Sequence, residues 1–137
     1  MSKEKHSITF RNEEHEAAFL SAMKREKAIS GDSPKRPIGS YFGASLYLLS
    51  SLEPWAKFHP YLDGCIDFTG IFEHVPLSGV EQIVVRLAAN FYNPAFWSSS
   101  PFDLALQPDD VTFEIVLEAF RLRRSKIFYR DGEVYAE

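Results

Sequence analysis

The sequence predicts a mostly all-α fold: one compact orthogonal or bundle-like domain of four main helices, with a small β-hairpin from the chain ends. Three observations lead there. The 137 residues suit one domain, for which ~100–200 residues is typical, so residues 1–137 read as a single helical domain with 1–6 and 131–137 frayed. Four segments repeat apolar residues at helical spacing with no strand of length between them. Apolar residues at 45% and charged residues at 25% match ordinary globular chains rather than disordered ones.

The elements follow in order. Ser7-Ile8-Thr9-Phe10 is short and β-prone; Asn12 then stands as an N-cap before Glu13 and Glu14, carboxylates that suit the positive end of a helix dipole. His15, Phe19, Ala22 and Met23 recur at helical spacing and Lys24, Arg25 and Lys27 close the run, placing a helix at 13–27. Residues 29–37, with Gly31, Asp32, Ser33 and two prolines, read as the most mobile loop. The second helix, 38–52, is apolar on most faces and therefore buried, with Gly39, Gly43 and Ala44 forming a seam narrow enough for a neighbouring helix; Pro54 ends it. Between Glu53 and Pro76 the prolines and glycines allow only short helical turns under the core.

Ser78-Gly79-Val80-Glu81 is a capping box, and Val80, Ile83, Val84, Leu87, Ala88 and Phe91 follow it as one helical stripe ending near Tyr92, ahead of Asn93-Pro94. Ser100-Pro101 starts a short turn. Asp109-Asp110 opens the last long helix, in which Phe113, Val116, Leu117 and Phe120 form the apolar stripe, Glu114 and Glu118 face away, and Arg121, Arg123 and Arg124 close the end. Residues 128–135 alternate around Asp131-Gly132 like a hairpin. The β-prone ends, Ile8 to Phe10 and Ile127 to Tyr135, are expected to pair.

Charge is uneven. The net −4 divides into a slightly basic start, an acidic middle from Pro37 to Glu118 with ten acids against two bases, and a basic end from Ala119. An acidic centre disfavours nonspecific nucleic-acid binding by the whole chain but leaves the C-terminal segment open. The longest charge-free apolar stretch, Pro37 to Leu52, has 16 residues, short of the ~20 needed to span a bilayer. No secretory pattern opens the sequence and the lone Cys65 has no intramolecular partner, so a cytoplasmic protein is expected, with no membrane association.

A group of segments recurs together: Phe10 with Asn12 and His15, Tyr47-Leu48-Leu49-Ser50, Leu77-Ser78 with Glu81, Leu87-Ala88-Ala89-Asn90-Phe91-Tyr92-Asn93, and Asp109-Asp110 with Phe113 and Ala119 to Arg124. In these, over residues 8–124, the chain resembles a family of small uncharacterised helical proteins from Gram-positive bacteria and their phages. The resemblance implies a bacterial or mobile-element origin and cytoplasmic action; it implies no assigned activity.

Catalytic and cofactor signals are sparse. His59, Asp63 and Asp67 would share one face of a continuous helix, with His15 or His74 to complete a metal set; Pro60 and Gly64 argue against that helix, and no metal is expected. Cys65 in its apolar setting reads as a small hydrophobe. No G-x-S-x-G, G-x-G-x-x-G or G-x-x-x-x-G-K occurs, so no catalytic residue and no cofactor is expected. Asn90 stands off its stripe and is expected to bond a neighbouring loop.

Contact chemistry is richer. Aromatics make up 15% of the chain, with twelve Phe, six Tyr and two Trp. Trp55, Phe58, Phe96 and Trp97 lie off the long helices, as do Phe128 and Tyr129, and such residues dominate interface energetics when exposed. Burial is the simpler fate of either Trp alone; together the aromatic loops, beside an acidic surface that includes Asp63, Asp67, Asp109 and Asp110, favour a non-enzymatic protein-binding module, with self-association through an apolar helix face included. A mobile-element inhibitor of a host nucleic-acid enzyme is the alternative, in which those acids with Glu73 and Asp103 would cluster in a site built for phosphates. The third reading is nucleic-acid binding through Arg121, Arg123, Arg124, Lys126 and Arg130, whose cations alternate with stacking aromatics.

Overall fold

Asn12 opens the first helix as its spacing predicts. In the computed structural model, which describes residues 5–30, 38–130 and 133–137 (the side chains of 26–30 and 130 excepted), Asn12 Oδ1 accepts the His15 N–H at 2.8 Å, and Glu13, Glu14 and Glu16 fill the first turn of α1, Glu13–Ser30. The helix runs past the expected Lys27; most of the loop expected at 29–37 lies outside the described residues. Helix α2, Ser40–Ser50, carries no charge and is buried from Phe42 to Ser50. It packs against α1 on one side and, more extensively, against the two long helices that follow.

Those are α5, Gly79–Tyr92, and α7, Asp110–Arg123. Between α2 and α5 come the short turns expected from the proline spacing: α3, Trp55–Phe58, a 3-10 turn at His59–Tyr61, and α4, Phe68–His74, whose N-cap Asp67 accepts from Gly70 N. Phe58 and Phe68 bury their rings there, each worth about 2–3 kcal/mol against exposure. Helix α6, Pro101–Leu106, is capped by Ser100 with Pro101 at its first turn. The described residues are thus mostly helical, with seven α-helices rather than four; the four longest are those that periodicity predicts.

The capping box of α5 is complete: Ser78 Oγ accepts from Glu81 N and Glu81 Oε1 accepts from Ser78 N. Helix α7 corrects the expected stripe. Its buried face is Thr112, Ile115, Val116, Ala119 and Leu122, with Glu118 buried beside it, while Leu117 and Phe120 are each 46% exposed. Counting aromatic rings favours Phe113 and Phe120 as core, but the i, i+4, i+7 run from Ile115 through Ala119 to Leu122 is the one that meets α2.

Strands β1, Ile127–Arg130, and β2, Glu133–Ala136, form an antiparallel hairpin with Arg130 opposite Glu133; the Asp131-Gly132 turn itself lies outside the described residues. The end expected to fray is therefore paired from Glu133, and His6 bridges Ala136 on the outer edge, with N–H to O distances of 2.7 and 3.1 Å. The N-terminal partner is His6 rather than Ile8 to Phe10. On the other edge Ile38 bridges Ile127. At Gly43 the seam makes room for a strand side chain: an added Cβ would stand 2.5 Å from Ile127 Cδ1, with Met23 Cε of α1 next at 3.6 Å.

Candidate protein-contact surface

Among the off-helix aromatics the structure separates core from surface. Phe58 is fully buried, Phe128 is buried and stacks on Tyr135 with centroids 5.4 Å apart, and Trp55, Phe96 and Tyr129 are half-buried against the core. Phe96 packs on Phe68, and its carbonyl accepts from Asn90 Nδ2 at 2.8 Å, the loop bond expected of Asn90. Trp97 alone of the six is free, at 91% exposure.

Trp97 has company that the sequence did not single out. Phe102 is 65% and Leu106 66% exposed; they stand four residues apart on α6, hence on one face, while Leu104 turns inward. Val111, at the start of α7, is 50% exposed. Within residues 97–111, four large apolar side chains are at least half in water. Exposed single hydrophobics are ordinary; four within fifteen residues are a local concentration of them. Asp103, Asp109 and Asp110 are interspersed with them, the latter two exposed. The missed signal is local: in Pro101-Phe102-Asp103-Leu104-Ala105-Leu106 the apolar residues alternate, and a one-turn helix can bury only one side of that alternation. Beside Trp97 a cleft of about 350 Å³ is lined by Phe72, Val75, Leu77, Gln82 and Arg86.

The remaining acids lie earlier in the chain. Asp63 and Asp67 are exposed in the 62–67 connection, Asp67 occupied as the α4 cap, and Glu73 lies on α4, which packs on the 3-10 turn, whereas α6 packs on α5 and α7. The metal set does not form: His59, Asp63 and Asp67 occupy a turn, a loop and a cap rather than one helix face, and among the described residues no three His, Cys, Asp or Glu side chains gather to hold an ion. Cys65 is exposed, next to Gly64, whose φ is +72°.

Two arginines of the basic end are engaged in structure. Glu118 Oε1 accepts from Arg121 Nε at 2.6 Å, and Oε2 accepts both Arg121 Nη2 at 3.0 Å and Thr9 N at 2.7 Å. Arg123 donates to the Phe91 carbonyl at the end of α5 and to Ser40 Oγ at the start of α2, both at 3.0 Å. Arg124 and Lys126 are exposed, and the side chain of Arg130 lies outside the described residues. Two of the five cations thus tie elements together rather than line a phosphate track.

Sequence reasoning did not foresee the buried polar cluster under the N-terminal segment. His15 is 2% exposed. Its Nδ1 accepts the Arg11 N–H at 3.0 Å, so Nε2 carries the proton and donates to the Tyr47 carbonyl at 2.8 Å. Burial, aided by the Arg11 charge and opposed by the Tyr47 carbonyl, lowers its pKa to about 4. Tyr47 donates its hydroxyl to the Thr9 carbonyl, and burial raises that phenol, with Glu118 adding to the effect. Arg11 Nη2 donates to Thr112 Oγ1 at 2.6 Å. With both ring nitrogens occupied and the ring neutral, His15 ties Arg11 to α2, while Thr9 and Arg11 make the bonds to α7.

Two further cavities frame the enzymatic reading. One of about 130 Å³, between α1, α2 and α3, is lined by Ala22, Phe42, Leu46, Trp55, His59 and Arg25, below the ~300–1,000 Å³ of usual ligand sites; Arg25 there is bonded to the Leu62 carbonyl at 2.5 Å. The other, about 590 Å³, is an open groove with Arg11, Glu14, Glu53 and Glu81 on its walls. Among the described residues no helix is long and apolar enough to cross a membrane. No family model matches the chain, and no curated protein and no solved structure matches it significantly.

Proposed function

We propose that this chain is a non-enzymatic protein-binding module acting in the cytoplasm, and that Trp97, Phe102, Leu106 and Val111, rimmed by Asp103, Asp109 and Asp110, form its contact face. The observation that carries the reading is the exposure of four large apolar side chains within fifteen residues, on a protein whose other off-helix aromatics named above are buried or half-buried. Trp and Phe in this position are the usual anchors of an interface, and acids at the rim select a partner with basic groups around an apolar groove. A bacterial or phage-encoded setting, as the family resemblance implies, is part of the same proposal. Affinity capture from the native cell with mass-measured stoichiometry tests it. A stoichiometric protein partner is expected for the unaltered chain and none for Trp97→Ala with Phe102→Ala; equal recovery by both would defeat this assignment of the face.

A further inference from the structure

The outward face of α7 carries a second pattern, which meets the Trp97 face at Asp110. Asp110, Phe113, Glu114, Leu117, Phe120, Arg121 and Arg124 recur every three or four residues and so follow one side of the helix, opposite the buried Ile115, Ala119 and Leu122. Asp110, Glu114 and Arg124 are exposed, and Leu117 and Phe120 are each 46% exposed. The acids occupy the first half, the arginines the second, and Leu117 lies midway, seven residues from Asp110 and seven from Arg124. The helix dipole explains that charge order, but it gives no reason for leaving Leu117 half in water between the charges, beside a Phe120 whose ring meets Phe91 edge-on at 5.1 Å.

A face with this symmetry complements itself when reversed. We infer that a second copy of this chain docks antiparallel on α7 about a two-fold axis at Leu117, setting Asp110 of each copy against Arg124 of the other. Phe113 and Phe120 then flank the paired leucines, and the two helix dipoles oppose. A parallel arrangement would instead set Asp110 against Asp110. Arg121 is already held by Glu118, so Arg124 supplies the main cation. Two helices crossing at ~8–10 Å can make these contacts along the roughly 21 Å from residue 110 to 124. One helix pair covers less than the ~800 Å² per partner of a standard interface, so the dimer is weak and concentration-dependent. This goes beyond the proposed contact face, with which it shares only the rim residue Asp110 and none of the four apolar side chains.

Sedimentation velocity of the full chain from about 1 to 500 µM at low salt tests it. A monomer–dimer equilibrium is expected for the unaltered chain, with association lost in Leu117→Glu and weakened about tenfold in Asp110→Arg or Arg124→Asp alone, because each reversal sets like charges together at two symmetry-related places. Mixing the two charge-reversed variants restores the dimer, because every antiparallel contact between them is again opposite in sign; a misfolded variant would not be rescued this way. Trp97→Ala with Phe102→Ala dimerises normally, which separates this inference from the proposed contact face. A monomer at every concentration, a dimer indifferent to Leu117→Glu, or no recovery on mixing overturns the inference.

Discussion

Acid should destabilise this protein through His15 before it protonates its native carboxylates extensively. The ring is 2% exposed and holds its native pKa near 4, against 6.5 when unfolded. Between those values the unfolded chain binds a proton that the native chain refuses, so stability rises with pH and falls as pH drops from 6.5 toward 4. Each pKa unit corresponds to ~1.36 kcal/mol. The His15 contribution lost is therefore about 1.4 kcal/mol at pH 5.5 and about 2.5 kcal/mol at pH 4.5, approaching about 3.4 kcal/mol at lower pH. Urea unfolding of the native chain and of His15→Gln, at pH 7.5, 6.5, 5.5 and 4.5, reads this directly. The variant pays a pH-independent cost for its altered bonds to Arg11 and Tyr47, but the difference between the two proteins should shrink by those amounts as pH falls. Parallel stability profiles, or an NMR titration of His15 near 6.5, would refute the buried neutral imidazole.

Other consequences concern the fastenings around the same core. Glu118→Gln keeps the shape but removes the charge that holds Arg121, and should lower unfolding free energy by about 1–2 kcal/mol, a figure kept modest because the Arg121 side chain is 39% exposed; chemical denaturation measures it. Arg123→Ala removes the ties to Phe91 and Ser40 and should cost about 1–2 kcal/mol, whereas Arg124→Ala should stay within about 0.5 kcal/mol of the unaltered monomer when measured at low micromolar concentration. Nucleic-acid binding through the C-terminal segment would instead make both arginines matter to affinity, with a steep salt dependence in a fluorescence titration.

The long helices were legible because their signals are local. Asn12, Ser78 with Glu81, and Ser100 with Pro101 each state a helix start within four residues, and the apolar run of α2 states its own burial. What escaped the sequence was non-local. Glu118 looks like a solvent-facing acid until Thr9, over a hundred residues earlier, supplies an N–H beside Arg121. His15 reads as one more position on a stripe until the Tyr47 carbonyl meets its ring. The seam at Gly43 was visible as small residues, but only the hairpin shows that Ile127 fills it. Aromatic content correctly raised the question of exposure and misassigned much of the answer, since Phe58 and Phe128 pack inward while Phe102 and Phe120 do not. Choosing among rings requires knowing which helix face has a neighbour.

Hydrogen exchange of the complex with the captured partner tests the central claim most directly, because amide protection locates the contact without altering the chain. New protection should concentrate in residues 97–111, with the backbone amides around Trp97, Phe102 and Leu106 slowed and those of the buried α2 unchanged. Protection confined to residues 121–130, or none within 97–111, would contradict the account of this surface.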